Sequence, residues 1–584
     1  MENNSQSTSM LQYIYSPRCM RGSGLVIGIL ALLFSVILLS ISLSNSLDHS
    51  AGNDNNENTS YENNKLPLWV LDNIKSNRIR ENTIKLSSDV FQGREPGTLG
   101  EQMAVDFVQT VFQTIGLEPH GDNDSYIQKV PIYSFKLENP QLKIDSTDYT
   151  FLVNYTLSTE LRQESVSLDS IPMVFVGYGI VAPEHDWNDY KNVDVKDKIA
   201  VAFSDNPSTF SNNYGRATVK YEFARQHGCA GLLFIYSNTT TLKVVPWDPL
   251  VQQYAIQQIV LSETVYKNPL QVKGWLSYPN SVQLAADAGA TLAQWEIAAN
   301  SKSFQPIQLK NKYSVTFNIN GTVKDSQTVI GGFVGTKNPS EVVVMMAHHD
   351  HLGTLNVGGK TQIFHGAVDN AAGVSILMEV ATALGLYQKI ASTPTFSQVG
   401  PIATFERTVL FISVTGEEYG FLGSQYFLNH LPRVVANQSS IVAMVNFDTA
   451  NVYNETTDVV SLGFGFSKQL DQVLNVSAAD ENMTVSQDIF PNLDFLYRTD
   501  EFPFLQSGIP ATTLSIGQHF INQSIEYYQR ILITYLSTRY HTPSDVVLDE
   551  YTFLGTVQQA RIAARLIYYL GNSNIKPNMT SSIQ

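Results

Sequence analysis

Between residues 341 and 517 the chain repeatedly builds a short apolar run and then ends it on a glycine or a polar side chain. EVVVMMA (341–347), RTVLFISVTG (407–416), SIVAMVNFD (440–448) and PATTLSIG (510–517) are short and rich in strand-forming residues. Longer helix-like stretches such as AAGVSILMEVATALGLYQ (371–388) separate them. Strands alternating with helices predict an α/β fold, with a mixed, mostly parallel sheet flanked by helices. In such sheets ligands bind beyond the carboxyl ends of the strands, so the residues that end these runs become the candidates for chemistry. IPMVFVGYGIVAP (171–183) and KIAVAFSD (198–205) are also strand-like, but the region 141–309 around them ends no run on a comparable cluster and reads as an inserted domain.

One apolar run is of a different kind. Gly24–Leu43, GLVIGILALLFSVILLSISL, carries no charge, and about 20 helical residues span a hydrocarbon core of about 30 Å. Arg18 and Arg21 precede it, whereas Asp48, Asp54 and Glu57 follow. Positive-inside logic leaves residues 1–23 as a cytoplasmic tail, makes 24–43 an uncleaved transmembrane anchor and sends the rest across. A cleaved signal peptide is the competing reading. Its apolar core usually runs only about 7–15 residues and is followed by a small-residue cleavage site, and no such site is obvious here. Residues 44–65 are polar and Asn-rich, with nothing to bury, and read as a flexible stalk. Asn-x-Ser/Thr sequons at Asn58, Asn123, Asn154, Asn238, Asn320, Asn437, Asn454, Asn475, Asn482, Asn522 and Asn578 suit a glycosylated ectodomain outside the cell or in the lumen of the secretory or endolysosomal pathway.

Composition narrows the choice. The 584 residues are 43% hydrophobic and 15% charged, enough apolar material for a large core. A net charge of −16 excludes the basic stripe that a nucleic-acid partner requires. Cys19 and Cys229, separated by the predicted anchor, face different compartments and cannot pair.

The residues that end the apolar runs form one chemical class. MMAHHDHLG supplies His348, His349, Asp350 and His351, and FHGAVDNAAG supplies His365 and Asp369. VTGEEYG supplies Glu417 and Glu418, VNFDTAN supplies Asp448, and TRYHTPSD supplies Tyr540 and His541. Imidazoles and carboxylates are the ligands of Zn²⁺, and so many at consecutive strand ends are hard to explain as a structural polar network.

In this order, AHHDHLG, GAVDNAAG, TGEEYGFLGSQYF, NFDTAN and YHTPSD resemble the motif series of the two-zinc aminopeptidase/glutamate-carboxypeptidase family, in particular its secreted aminopeptidases with a protease-associated insert. SSDVFQGREPGTLGEQMAVDFV (87–108), VFVGYGIVAPEHDWNDYKNVDVKDKIAV and YGRATVKYEFARQHGCAGLLFIY extend the similarity, so that it runs from about Leu66 to Leu570. It implies a zinc exopeptidase fold in two parts, 66–140 and 310–572, around a β-rich protease-associated insert (141–309), with a short tail at 573–584.

The resemblance also implies a site holding two Zn²⁺ ions. Asp369 bridges them, His348 and Asp448 complete one ligand set, and Glu418 and His541 complete the other. Glu417 is then the general base, Asp350 holds a ligand histidine and Tyr540 steadies the oxyanion. Such a pairing explains two adjacent glutamates. Opposite a dication Glu418 stays ionised, while Glu417 keeps a free carboxylate to take a proton from the water that zinc acidifies.

The chain departs from the family at Val368, where an acid is usual, and at Glu501, which stands in a histidine's place within RTDEFPF (498–504). His349 is expected to form a pocket wall, and His351 and His365 to be structural, with the entrance left open for His365.

The function expected is cleavage of an unblocked N-terminal residue from peptides outside the cytosol. Asp500 and Glu501 are expected to face the cleft, and no cluster of arginines suggests recognition of a di-acidic tail. A carboxypeptidase for acidic dipeptides is the rival enzyme, with Arg498 or Arg539 as its first candidate for a carboxylate contact. A receptor-like relative without chemistry is the rival outside enzymes, disfavoured because every ligand position and Glu417 are filled. Whether two copies associate is left open.

Overall fold

The structure is a computed structural model, described over residues 65–207, 210, 212–236, 247–392 and 404–581. The predicted anchor and stalk lie outside the described residues.

Elements are numbered here in chain order. Helices α1 (Ser76–Leu86) and α2 (Leu99–Ile115) come first, followed by strand β1 (Ile127–Ile144). The region 141–309 then contributes β2 (Tyr155–Ser158), β3 (Ser165–Phe175), β4 (Ile199–Phe203), α3 (Ala217–Gln226), β5 (Gly231–Ile235), α4 (Trp247–Ala255) and β6 (Val272–Leu276). A long strand, β7 (Ile307–Phe333), leads into β8 (Asn338–His348), α5 (Ala372–Ala391), β9 (Arg407–Val414), α6 (Leu422–Asn429) and β10 (Ile441–Asn446). The chain ends with β11 (Asp458–Ser461), β12 (Thr484–Ser486), α7 (Glu501–Gln506), β13 (Ala511–Ser515), α8 (Ile525–Thr538) and α9 (Leu554–Asn572).

One sheet runs through all of this, in the order β12-β11-β13-β10-β8-β9-β7-β3-β4-β5-β6-β2. The half built on β8 is parallel at its centre, since β8 pairs in parallel with both β9 and β10, and β10 with β13. The other half is parallel from β3 through β6. Strand β7 joins the halves. Its C-terminal end pairs with β9, its N-terminal end with β3, and β1 lies along most of its length.

The boundaries expected at 140/141 and 309/310 therefore fall inside or beside continuous strands, because β1 and β7 run through both regions. The region 141–309, expected to be β-rich, contains several strands and also helices, with α3 and α4 beside parallel strands. Residues Thr354–Val357 and Lys360–Ile363 form a separate hairpin around the left-handed Gly358 and Gly359.

Every residue of β9 and β10 is buried, as expected of parallel strands covered on both faces. Val342, Val344 and Met346 of β8 pack with Leu410, Ile412 and Met444 in one core. Removing the Met346 side chain would cost about 2–5 kcal/mol, the usual range for such a deletion. Helix α5 is apolar on nearly all sides and is the one helix among the described residues long and apolar enough to span a bilayer. It is 94% buried, packed against α1, α2 and α9, so its composition reflects a core position.

Candidate metal centre and cleft

Strand register brings the run-ending residues together. His348 ends β8 opposite Val414 of β9, and Met346 pairs with Asn446 of β10. Continuing each strand by two or three residues places His348, Glu417 and Asp448 at the same carboxyl edge. Two further pieces complete the site. The loop before α5 carries Asp369, and the turn after α8 carries His541.

Asp369 sits at the centre. Its Oδ1 lies 3.4 Å from His348 Nε2, and its Oδ2 lies 3.2 Å from His541 Nε2. On one side Asp448 Oδ1 is 3.5 Å from His348 Nε2. On the other, Glu418 Oε2 is 2.9 Å from His541 Nε2. One carboxylate thus faces two imidazoles, each with its own second carboxylate.

The donor atoms of His348, Glu417 and Asp448 lie within 4.8 Å of one another, as do those of His351, Asp369 and Glu418. These two clusters and the pairings through Asp369 do not divide the residues identically. The pairings are the better guide, because each Asp369 oxygen faces one imidazole nitrogen directly. Both ring nitrogens of His348, Nε2 of His351 and Nε2 of His541 are buried without a hydrogen-bond partner. Orphaned buried nitrogens among carboxylates are costly unless a cation joins them, so the donor set fits zinc.

The two adjacent glutamates diverge. Left-handed Gly416 and Gly420 bracket the turn Glu417–Tyr419 that follows β9. Glu417 Oε2 is 4.0 Å from His348 Nε2. Burial pushes the Glu417 carboxyl well above its ordinary range; His348 opposes this, while Asp448 and Glu418 add to it. Burial and Asp369 also push Glu418 upward, but His541 and His351 hold it down at about 2. Two carboxyls driven apart in this way suit one proton carrier and one permanent anion.

Asp350 lies beside His348, the histidine it was expected to hold, and also supports the glutamate turn. Its two oxygens accept the backbone N–H groups of Glu417 at 3.2 Å and Glu418 at 3.4 Å, while His348 Nδ1 lies 3.7 Å away. It anchors the glutamate turn more directly than the histidine. The Tyr540 ring stacks on His541 at 3.8 Å between centroids.

Several expectations are corrected. His349 is no pocket wall. Strand alternation turns it into the interior, where Nδ1 meets Ser413 Oγ at 3.0 Å and Nε2 lies 3.6 Å from Glu101 Oε1. His351, expected to be structural, places Nδ1 2.5 Å from Glu418 Oε1 and so orients a candidate ligand. His365 pairs with Asp89 at 2.9 Å. Asp500 and Glu501 do not face the cleft. The start of α7 carries both into the core, where Ser424 Oγ donates to Asp500 at 2.6 Å. Burial raises Asp500 to about 7 and Glu501 to about 8.

Two supporting residues escape sequence reasoning. Asp545 accepts the backbone N–H of Val368 with both oxygens, at 3.1 and 3.2 Å, and that of Asp369 at 3.1 Å. It therefore fixes the loop bearing Asp369, whose peptide bond to Asn370 is cis. Arg94, fully buried, donates to the carbonyls of Leu86, His349, His365 and Gly366. Gly366 has φ +55°, and a Cβ there would lie 2.3 Å from the Asp369 carbonyl oxygen, so only glycine fits. The sole signal in the sequence was position, with Asp545 four residues after His541 and Arg94 inside GREPGTLG.

Beyond the metal centre a cleft of about 700 Å³, counting its open mouth, is lined by Asp369, Glu417, Asp448 and Tyr540 at one end. Val460, Leu462, Phe495, Ile516, Leu532 and Leu536 make its apolar walls. Region 141–309 reaches the site as well, because Gln253 Nε2 on α4 lies 3.5 Å from His541 Nδ1. Arg216, just before α3, stacks 3.9 Å over Phe502 of α7.

Residues 328–562 match Peptidase family M28. Among solved structures, the aminopeptidase from Aneurinibacillus sp. strain AM-1 aligns over 87% of this chain and 96% of its own, at 16% identity and a TM-score of 0.52. That likeness shows the fold. BSAP, a zinc aminopeptidase from Bacillus subtilis, covers 88% of this chain and 99% of its own at 17% identity, with a TM-score of 0.48. A Peptidase M28 precursor from Shewanella amazonensis covers 87% and 98% at 15% identity, with a TM-score of 0.43. The matched segment, 328–562, is the one that carries the candidate metal centre.

Proposed function

We propose that the protein is a zinc-dependent exopeptidase of the aminopeptidase type, with a centre for two zinc ions in which Asp369 is shared. The observation that carries this is the Asp369 carboxylate, whose two oxygens face His348 and His541 separately, each imidazole nitrogen also facing a second carboxylate and lacking a well-formed hydrogen bond. His348, Asp448 and Asp369 would hold one ion, and His541, Glu418 and Asp369 the other. When bound, the ions supply Lewis acidity and lower the pKa of water.

The chain's own residues supply positioning and proton transfer. Glu417 reaches the same edge, its Oε2 4.0 Å from His348 Nε2, and takes no part in the pairings through Asp369. As general base it accepts the proton of the attacking water, then passes it to the amine nitrogen that leaves with the rest of the peptide. Asp350 fixes the backbone under both glutamates, so the proton carrier and the anion keep their separation. Tyr540 lines the cleft and stacks on His541, which supports a role in donating to the developing oxyanion. The apolar walls suit a neutral or apolar side chain, and among the described residues a single Lys or Arg lines the cleft.

The test is a matched peptide pair. Acetylating the N-terminus of a good substrate should abolish turnover. Cleavage of the acetylated peptide from its C-terminal end would reverse the reading to a carboxypeptidase.

A further inference from the structure

Among the described residues, Arg498 is the one Lys or Arg on the cleft wall. It closes the short turn Phe495–Arg498, is half-buried, and shares the cleft with Asp369, Glu417, Asp448 and Tyr540. Its guanidinium forms no hydrogen bond or ion pair with any described residue.

Other arginines near the core are occupied. Arg94 donates to four carbonyls, and Arg407 joins Glu341 and the Leu570 carbonyl. Arg539, the other arginine beside a site motif, donates to the Tyr551 hydroxyl at 2.5 Å. Asp488 lines the same cleft, but its carboxylate takes the Phe490 N–H at 2.7 Å and no ion pair joins it to Arg498.

A guanidinium carries five N–H donors in a planar fork that matches a carboxylate. The Arg498 nitrogens are not among the buried unpartnered polar atoms, so the fork is open to the cleft, where a ligand carboxylate can take the place of water. The neighbouring walls are apolar, so a carboxylate entering the cleft finds no other cationic side chain there. Arg498 and Tyr540 line the same cleft. In a dipeptide, the terminal carboxylate is only one residue, about 3.5 Å of chain, beyond the scissile carbonyl.

We infer that Arg498 is a specificity-determining residue that receives a carboxylate of the substrate, so that short peptides presenting one are preferred. This rests on the exopeptidase reading above. Two groups carry that chemistry: the free C-terminus of a dipeptide and an acidic side chain.

The test is a kinetic comparison of the zinc-loaded full-length protein with Arg498→Gln and Arg498→Lys. One substrate pair is Leu-Ala and Leu-Ala amide; the other is Glu-Ala amide and Gln-Ala amide. The readout is the ratio of kcat/KM within each pair, which cancels any general loss of activity. One charge-assisted contact corresponds to about a 10–100-fold change. Arg498→Gln should lower the Leu-Ala ratio by that factor, chiefly through KM, and Arg498→Lys should restore part of it. A fall confined to the Glu-Ala pair would assign the carboxylate to a side chain. Unchanged ratios in both pairs would overturn the inference. A wild-type protein that turns over none of the four substrates would instead overturn the exopeptidase reading.

Discussion

Replacing Asp545 by Asn tests whether the loop bearing Asp369 is held from behind. The change is nearly isosteric, so it opens no cavity. Both Asp545 oxygens accept backbone N–H groups, three contacts of 3.1–3.2 Å to Val368 and Asp369, with the Tyr535 hydroxyl at 3.3 Å. The amide keeps one acceptor and turns an NH₂ donor toward a backbone donor. A hydrogen bond to a charged group contributes about 1.5–3 kcal/mol, and an unsatisfied buried N–H costs about 1–3 kcal/mol. The expected loss of stability is therefore about 2–4 kcal/mol. Supporting groups of this kind typically change metal affinity by about 10–100-fold. Competition with a chromophoric chelator reads the zinc affinity, and thermal unfolding with zinc removed reads the stability. Zinc affinity within about twofold of wild type, with an unchanged melting temperature, would refute the idea that Asp545 positions Asp369.

Other outcomes follow from features away from the centre. Lys220 is fully buried, donates to the Phe203 carbonyl at 2.7 Å, and is lowered by burial to about 7. Between about 7 and its unfolded value near 10.5 the unfolded chain binds more protons, so stability should rise with pH across that window. Lys220→Met should flatten this rise in melting temperature, and an unaltered slope would show that Lys220 is not its source. The charge-free run Gly24–Leu43 predicts an intact anchor. N-terminal sequencing of the mature protein checks it, and a start between residues 44 and 64 would show cleavage.

The metal centre was legible because a parallel sheet converts sequence order into spatial order. His348, Glu417 and Asp448 end apolar runs, and adjacent parallel strands place such ends on one edge. Asp369 and His541 lie in a loop and a turn; their residue types marked them as candidates, but their places in the ligand sets came only through the resemblance. Arg94 and Asp545 were not legible, because they act on backbone carbonyls and N–H groups that carry no side-chain signature. Asp500 and Glu501 were misplaced because the fold starts a helix there, and the turn before it offers Arg498 and Thr499 to the cleft instead. That reverses the charge expected on this wall. The region 141–309 separates in sequence but not in the sheet, since β7 is long enough to serve both halves.

The central claim is that Glu417 carries the proton while its neighbour Glu418 holds metal. Zinc content and peptide turnover, measured side by side on Glu417→Gln and Glu418→Gln, test it most directly. The account predicts that Glu417→Gln keeps both ions and loses about 10²–10⁴-fold in turnover, because an amide cannot accept the proton. Glu418→Gln should lose the ion shared with His541. A Glu417→Gln protein that sheds zinc, beside a Glu418→Gln protein that retains it, would contradict the account.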